Sequence, residues 1–148
     1  LCIRKYIPAW PVAMEQFFRL VVFNYIYGNG DAHLKNFSVL NRGGELVMAP
    51  AYDLLNTCIH VDGPDFAMNG GLSPHLNRSD TYDTTLHPCR MDFLSFARLI
   101  GINDRRANRV LDSFMEVPSL VDSLINRSFL FDEKTKLSIF LFITWIHN

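Results

Sequence analysis

Asp31, Asn36 and Asp53 are the residues whose types and spacing could do chemistry. Asp31 and Asn36 stand five residues apart in Gly28-Asn29-Gly30-Asp31-Ala32-His33-Leu34-Lys35-Asn36, and Asp53 follows seventeen residues further on. An acid, an amide and a second acid in this order suit phosphoryl transfer. One aspartate would accept the proton of an attacking hydroxyl, the asparagine would ligate Mg²⁺, and the later aspartate would hold the metal that bridges the phosphates. Gly30 allows backbone shapes closed to other residues and lets a substrate hydroxyl come near Asp31. Mg²⁺ is a hard ion that takes oxygen ligands, and Asn36 and Asp53 offer a neutral and an anionic one. Each residue has an ordinary alternative when taken singly; Asp31 alone would read as a turn aspartate. Lys35 could bring its ammonium to the transferring phosphate, or it could face solvent as a surface lysine. His33 reads as a hydrogen-bond partner that orders the loop rather than as a proton carrier.

The elements around these residues must bring them together. Phe37-Ser38-Val39-Leu40 and Leu46-Val47-Met48-Ala49 flank Asn41-Arg42-Gly43-Gly44-Glu45, which predicts a β-hairpin with a glycine turn. Such a hairpin carries the chain away from Asn36 and returns Asp53 beside it. Upstream, Pro8 and Pro11 rule out a continuous helix through the first ten residues. Pro11 suits the first position of a helix over 11–27, apolar around most of its circumference and so expected at the centre of the core. Gly28 is placed to end it with a left-handed cap.

From 56 to 88 turn formers dominate and no period is sustained, which predicts a long functional or mobile loop. Beyond it the chain reads as helical. Phe93, Phe96, Ala97 and Ile100 form one stripe closed by Gly101. Asn103 or Asp104 would cap a second, bearing Val110, Leu111, Phe114 and Met115. A third would begin at Pro118 and carry Leu120, Val121, Leu124 and Ile125. Asp132 would cap a last one with Leu137, Phe140, Leu141, Ile143 and Trp145. These four helices are expected to form a bundle behind the acidic loop.

Asn29-Gly30-Asp31-Ala32-His33-Leu34-Lys35-Asn36-Phe37-Ser38, followed by Ala49-Pro50-Ala51-Tyr52-Asp53-Leu54-Leu55, resembles the C-terminal lobe of HipA-like kinases, the serine/threonine kinase toxins of bacterial toxin–antitoxin pairs. The resemblance is strongest over residues 17–57. It implies a mainly α, protein-kinase-like helical lobe with one β-hairpin at the catalytic site. It further implies ATP as phosphoryl donor, Mg²⁺ as cofactor, Asp31 as base, and Asn36 and Asp53 as metal ligands. The implied partners are an antitoxin, itself a candidate DNA binder, and a protein substrate, an aminoacyl-tRNA synthetase in some relatives. A glycine-rich phosphate loop and its paired lysine have no candidate here; in the family they belong to an N-terminal lobe. The chain is therefore expected to be a single-domain piece, 1–148, of a larger protein. The string Gly30-Asp31-x-His33-x-x-Asn36 is also similar to the catalytic loop of phosphatidylinositol kinases. A lipid or small-molecule kinase lobe is the first rival reading, and a non-catalytic adaptor or remnant of the fold is the second.

Composition narrows the field further. With 148 residues the chain can bury one core. Its 14 Lys+Arg against 15 Asp+Glu create no general basic field for direct nucleic-acid binding. A hydrophobic content of 49% excludes a disordered chain. No apolar run reaches the ~20 residues of a spanning helix, so no membrane segment is expected. Cys2, Cys58 and Cys89 form no Cys-x-x-Cys pair and point to a reducing cytoplasm. His60, His75, His87 and His147 show no metal-ligand spacing. Arg105, Arg106 and Arg109 read as a solvated basic face, with an acidic partner as the alternative.

Overall fold

Helix α2, Trp10–Ile26, is the element on which the rest is built. Pro11 sits in its first turn, where the missing N–H costs nothing. Its residues Ala13, Met14, Phe18, Val22, Tyr25 and Ile26 are all buried. The computed structural model describes residues 2–61, 63–68, 70–115 and 119–129. Before α2, Cys2–Tyr6 form a short helix α1, which Pro8 separates from α2. The end of α2 is a complete Schellman motif. Gly28, at φ +62°, donates its N–H to Tyr25 O at 3.0 Å, and Asn29 donates to Asn24 O at 2.8 Å.

Two helices supply most of the core around α2. Helix α4, Arg90–Leu99, contributes Phe93, Phe96 and Ala97; helix α5, Asp104–Asp112, contributes Ala107, Val110 and Leu111. Tyr25 packs on Phe93 with ring centroids 5.1 Å apart, and its hydroxyl donates to Pro88 O at 3.0 Å. Gly101, at φ +84°, ends α4 with a second Schellman motif, and Asn103 caps α5 by accepting the N–H of Arg106 at 3.0 Å. Of the two expected caps, Asn103 is the one used.

The hairpin pairs β1, Val39–Arg42, with β2, Glu45–Met48, in antiparallel register from Val39↔Met48 to Arg42↔Glu45. Into the expected turn β1 runs two residues further, and β2 one residue further, than the residue types suggested. Gly43 and Gly44, both at positive φ, make the whole two-residue loop.

The stretch 56–88 contains a helix that its turn formers hid. Helix α3, Asp80–Thr85, starts at Ser79, whose side chain caps the Tyr82 N–H. Six residues are too few to display a helical period, which is why the sequence reads as loop. The buried Asp92 carboxylate joins α3 to α4, accepting from Ser79 N, Ser79 Oγ and Cys89 N. Helix α6, Ser119–Asn126, leaves Leu120 and Leu124 exposed, so within the described residues the expected bundle is α4 on α5 against α2. The helix expected after Asp132 lies outside the described residues.

Candidate active site

The Schellman turn at the end of α2 carries the site. Asn29, buried, fixes the glycine loop through three side-chain hydrogen bonds. Its Nδ2 donates to Asn24 Oδ1 at 2.9 Å and to the carbonyl oxygen of Asp53 at 3.1 Å, and its Oδ1 accepts the N–H of Asp31 at 3.3 Å. Thr57 holds the same loop from the other side. Its Oγ1 accepts from Gly30 N at 2.8 Å and donates to Gly28 O at 3.2 Å, while its own N–H reaches Gly28 O at 3.0 Å. The space at Gly30 is filled by backbone, since a Cβ there would lie 2.8 Å from Pro64 O. Any side chain would push the 63–68 segment off the loop.

Asp31 projects from this turn with its side chain 59% exposed, open to an incoming hydroxyl. His33 Nε2 lies 3.0 Å from Asp31 Oδ1. A 3-10 turn, Leu34–Asn36, then tucks Asn36 into the interior. After the hairpin the chain returns as expected, and Asn36 Nδ2 donates to Asp53 Oδ2 at 2.5 Å. Asp53 itself is exposed and stands at φ +57°, a left-handed backbone that Asp tolerates better than most residues. The base candidate and the two ligand candidates thus share one loop cluster, with Asn29 touching the backbone of both Asp31 and Asp53. Lys35 is exposed; its carbonyl accepts the Tyr52 hydroxyl at 2.6 Å, which ties the two ends of the hairpin together.

The donor set suits a hard divalent cation. Asn36 Oδ1 is buried and has no hydrogen-bond partner. Turning the amide by half a turn would give up its Nδ2 bond to Asp53 and set Oδ1 beside Asp53 Oδ2, where two oxygens need a cation between them. Among the described residues no three His, Cys, Asp or Glu side chains group to hold a metal. A cation here would complete its shell from water or a bound phosphate.

Three positioning residues escaped the sequence reading: Asn24, Asn29 and Thr57. The signal for Asn24 was available, as a lone amide within Leu20-Val21-Val22-Phe23-Asn24-Tyr25-Ile26. Asp65 and His87 were also missed as a pair, with His87 Nδ1 2.7 Å from Asp65 Oδ2. Burial pushes the Asp65 carboxyl above its ordinary range, and the His87 hydrogen bond partly opposes this. Of the arginines, Arg106 pairs with Glu15 of α2 at 2.9 Å rather than standing free in solvent. An apolar cavity of about 100 Å³ lies beneath the loop, lined by Ala32, Leu34, Phe37 and Phe66 with Asn24 and Asn29 at its polar edge.

The loop, hairpin and returning acid bring Asp31, Asn36 and Asp53 into one cluster, and two relatives of the chain are named as putative kinases. Over 105 residues, 68% of this chain and 23% of the relative, it is 34% identical to a Sinorhizobium fredii protein named Putative kinase Y4mE. Over 55 residues, 36% of this chain and 13% of the relative, it is 43% identical to a second protein of that organism, named Putative kinase Y4dM. The chain spans less than a quarter of the length of either. Residues 2–121 match the model of the HipA-like C-terminal domain. The chain belongs to that family, as its loop and Asp53 block suggested.

Proposed function

We propose that this chain is the catalytic lobe of an ATP-dependent serine/threonine protein kinase of the HipA-like family, with a protein-kinase-like fold. One observation carries the reading: Asn36 and Asp53 meet side chain to side chain, and Asn29 ties them to the loop that presents Asp31. Asp31 takes the proton of the acceptor serine hydroxyl as the oxygen attacks phosphorus, with His33 orienting the carboxylate. Asn36 and Asp53 are the residues that would hold Mg²⁺, which when bound neutralises charge on the donor phosphates. Lys35 reaches from the exposed side of the 3-10 turn to the transferring phosphate.

An N-terminal lobe supplies the glycine-rich loop and lysine. Val39, Leu40, Tyr52, Leu54 and Leu55, all exposed around the hairpin and Asp53, give it an apolar seat. The acceptor is a protein, with aminoacyl-tRNA synthetases as the class suggested by the resemblance. An antitoxin is the regulatory partner, and the cytoplasm is the compartment. No helix among the described residues is long and apolar enough to cross a membrane.

The test is Asp31→Asn in the full-length native protein, assayed for phosphoryl transfer to protein and to lipid acceptors. A loss of about a hundredfold or more is expected, since general-base catalysis contributes roughly 10²–10⁴. The fold should persist, because Asn keeps an acceptor for His33. Activity within about threefold of wild type would assign the base elsewhere, and transfer to lipid alone would favour the phosphatidylinositol-kinase reading.

A further inference from the structure

Asn29 contacts neither of the side-chain groups proposed to hold the metal, yet it bonds the backbone of both Asp31 and Asp53. It occupies the second position past the cap of α2, where a Schellman motif commonly places an apolar residue against the last turn of the helix. Here that contact is polar. Asn29 Nδ2 bonds Asn24 Oδ1 at 2.9 Å, and the backbone of the same two residues is joined at 2.8 Å. Asn24 and Asn29 are 5% and 4% exposed, so an unpaired amide at either position would be costly. The pair makes the side chain of Asn29 a rigid extension of the central helix.

From that anchor its two ends reach in two directions. Oδ1 takes the Asp31 N–H and sets the turn from which the base projects. Nδ2 takes the Asp53 carbonyl and holds that residue in its left-handed backbone. A left-handed aspartate is strained, and strain of this kind persists only where surrounding contacts over-determine it. Released from Asn29, the Asp53 peptide can relax, and its carboxylate then swings away from Asn36.

We infer that Asn29 is a positioning residue that couples the base loop to the metal-holding acid, so that both are set by the end of one helix. The inference rests on the kinase reading of the site. Its loss should weaken the use of divalent cation more than it weakens the fold. In the full-length native protein, Asn29→Ala should lower kcat tenfold or more and raise the Mg²⁺ concentration needed for half-maximal rate severalfold. Replacing Mg²⁺ by Mn²⁺ at millimolar concentration should recover part of the lost rate, which a general loosening of the structure would not allow. Asn29→Asp is the second variant. It keeps the shape and the acceptor for Asp31 but sets a buried oxygen against the Asp53 carbonyl and Asn24 Oδ1, so it should show the same cation dependence together with a lowered thermal midpoint. Asp31→Asn is assayed beside them. If it is fully active while the Asn29 variants show the cation defect, the base assignment fails and the coupling to Asp53 stands. Asn29 variants with kcat and cation dependence within twofold of wild type, or with a defect that Mn²⁺ leaves untouched, would overturn the inference.

Discussion

Asp53 and Gly28 show how single residues take conformations that their types alone only permit. Both have left-handed backbones, φ +57° and +62°, but for different reasons. Gly28 stands in tight space, since a Cβ would meet Asn56 Oδ1 at 3.1 Å and Cys58 Sγ at 3.2 Å and those side chains would have to give way. Its carbonyl also accepts the N–H groups of Thr57 and Cys58, so the glycine joins the end of α2 to the segment after Asp53. Gly28→Ala should therefore destabilise the chain by about 1–2 kcal/mol from the left-handed backbone alone, with crowding added to it. Urea unfolding measures this, and a change under 0.5 kcal/mol would mean that the turn relaxes at little cost. Gly28 was legible as a cap from its place after an apolar run. Nothing in the residue string marks Asp53 as left-handed; that state is seen only in the fold, where the Asp53 carbonyl accepts Asn29 Nδ2.

At the scale of elements, the caps did what their residue types predict, and the short helix did not announce itself. Asn103 caps α5, a helix of nine residues that supplies Ala107, Val110 and Leu111 to the core. Asn103→Ala should cost roughly 1 kcal/mol and lower the thermal midpoint by a few degrees, with the site unaffected. Calorimetry of the variant checks it, and an unchanged midpoint would show that Arg98–Asp104 and the core contacts hold α5 without the cap. Helix α3 was hidden because Asn77-Arg78-Ser79-Asp80 spells both a turn and an N-cap, and only packing decides between them. Asp92, thirteen residues away, is what makes Ser79 a cap here.

Across the molecule, the 63–68 segment lies between the glycine loop and helix α3, and its anchor is the Asp65–His87 pair. The Asp65 side chain is only 7% exposed, and burial raises its carboxyl above the ordinary range. The folded state therefore holds the proton more tightly than the unfolded one. Stability from this group is fully present below the unfolded value of about 3.9 and is lost as pH rises through the folded value. Asp65→Asn removes the titration and keeps an acceptor for His87. Its stability relative to wild type should rise between pH 4 and pH 7 in paired urea melts. A difference that stays constant over that range would show that Asp65 does not titrate abnormally.

The sequence by itself determined the ends of the site and the elements that hold them. Apolar periodicity with proline and glycine boundaries located α2, α4 and α5, and two adjacent glycines located the hairpin turn. The strings 29–38 and 49–55 carried the resemblance to the family whose model matches residues 2–121. Only the tertiary structure decided that Asn36 and Asp53 touch, and that Asn24, Asn29 and Thr57 hold the loop. The physical reason is one of range. Helices and tight turns are set by interactions among neighbours within a few residues, which residue types express directly. The site is closed by hydrogen bonds that span 17 to 29 residues, from Asn36–Asp53 to Thr57–Gly28. The partners of a buried amide at such distances depend on which helix end and which returning strand the core brings together.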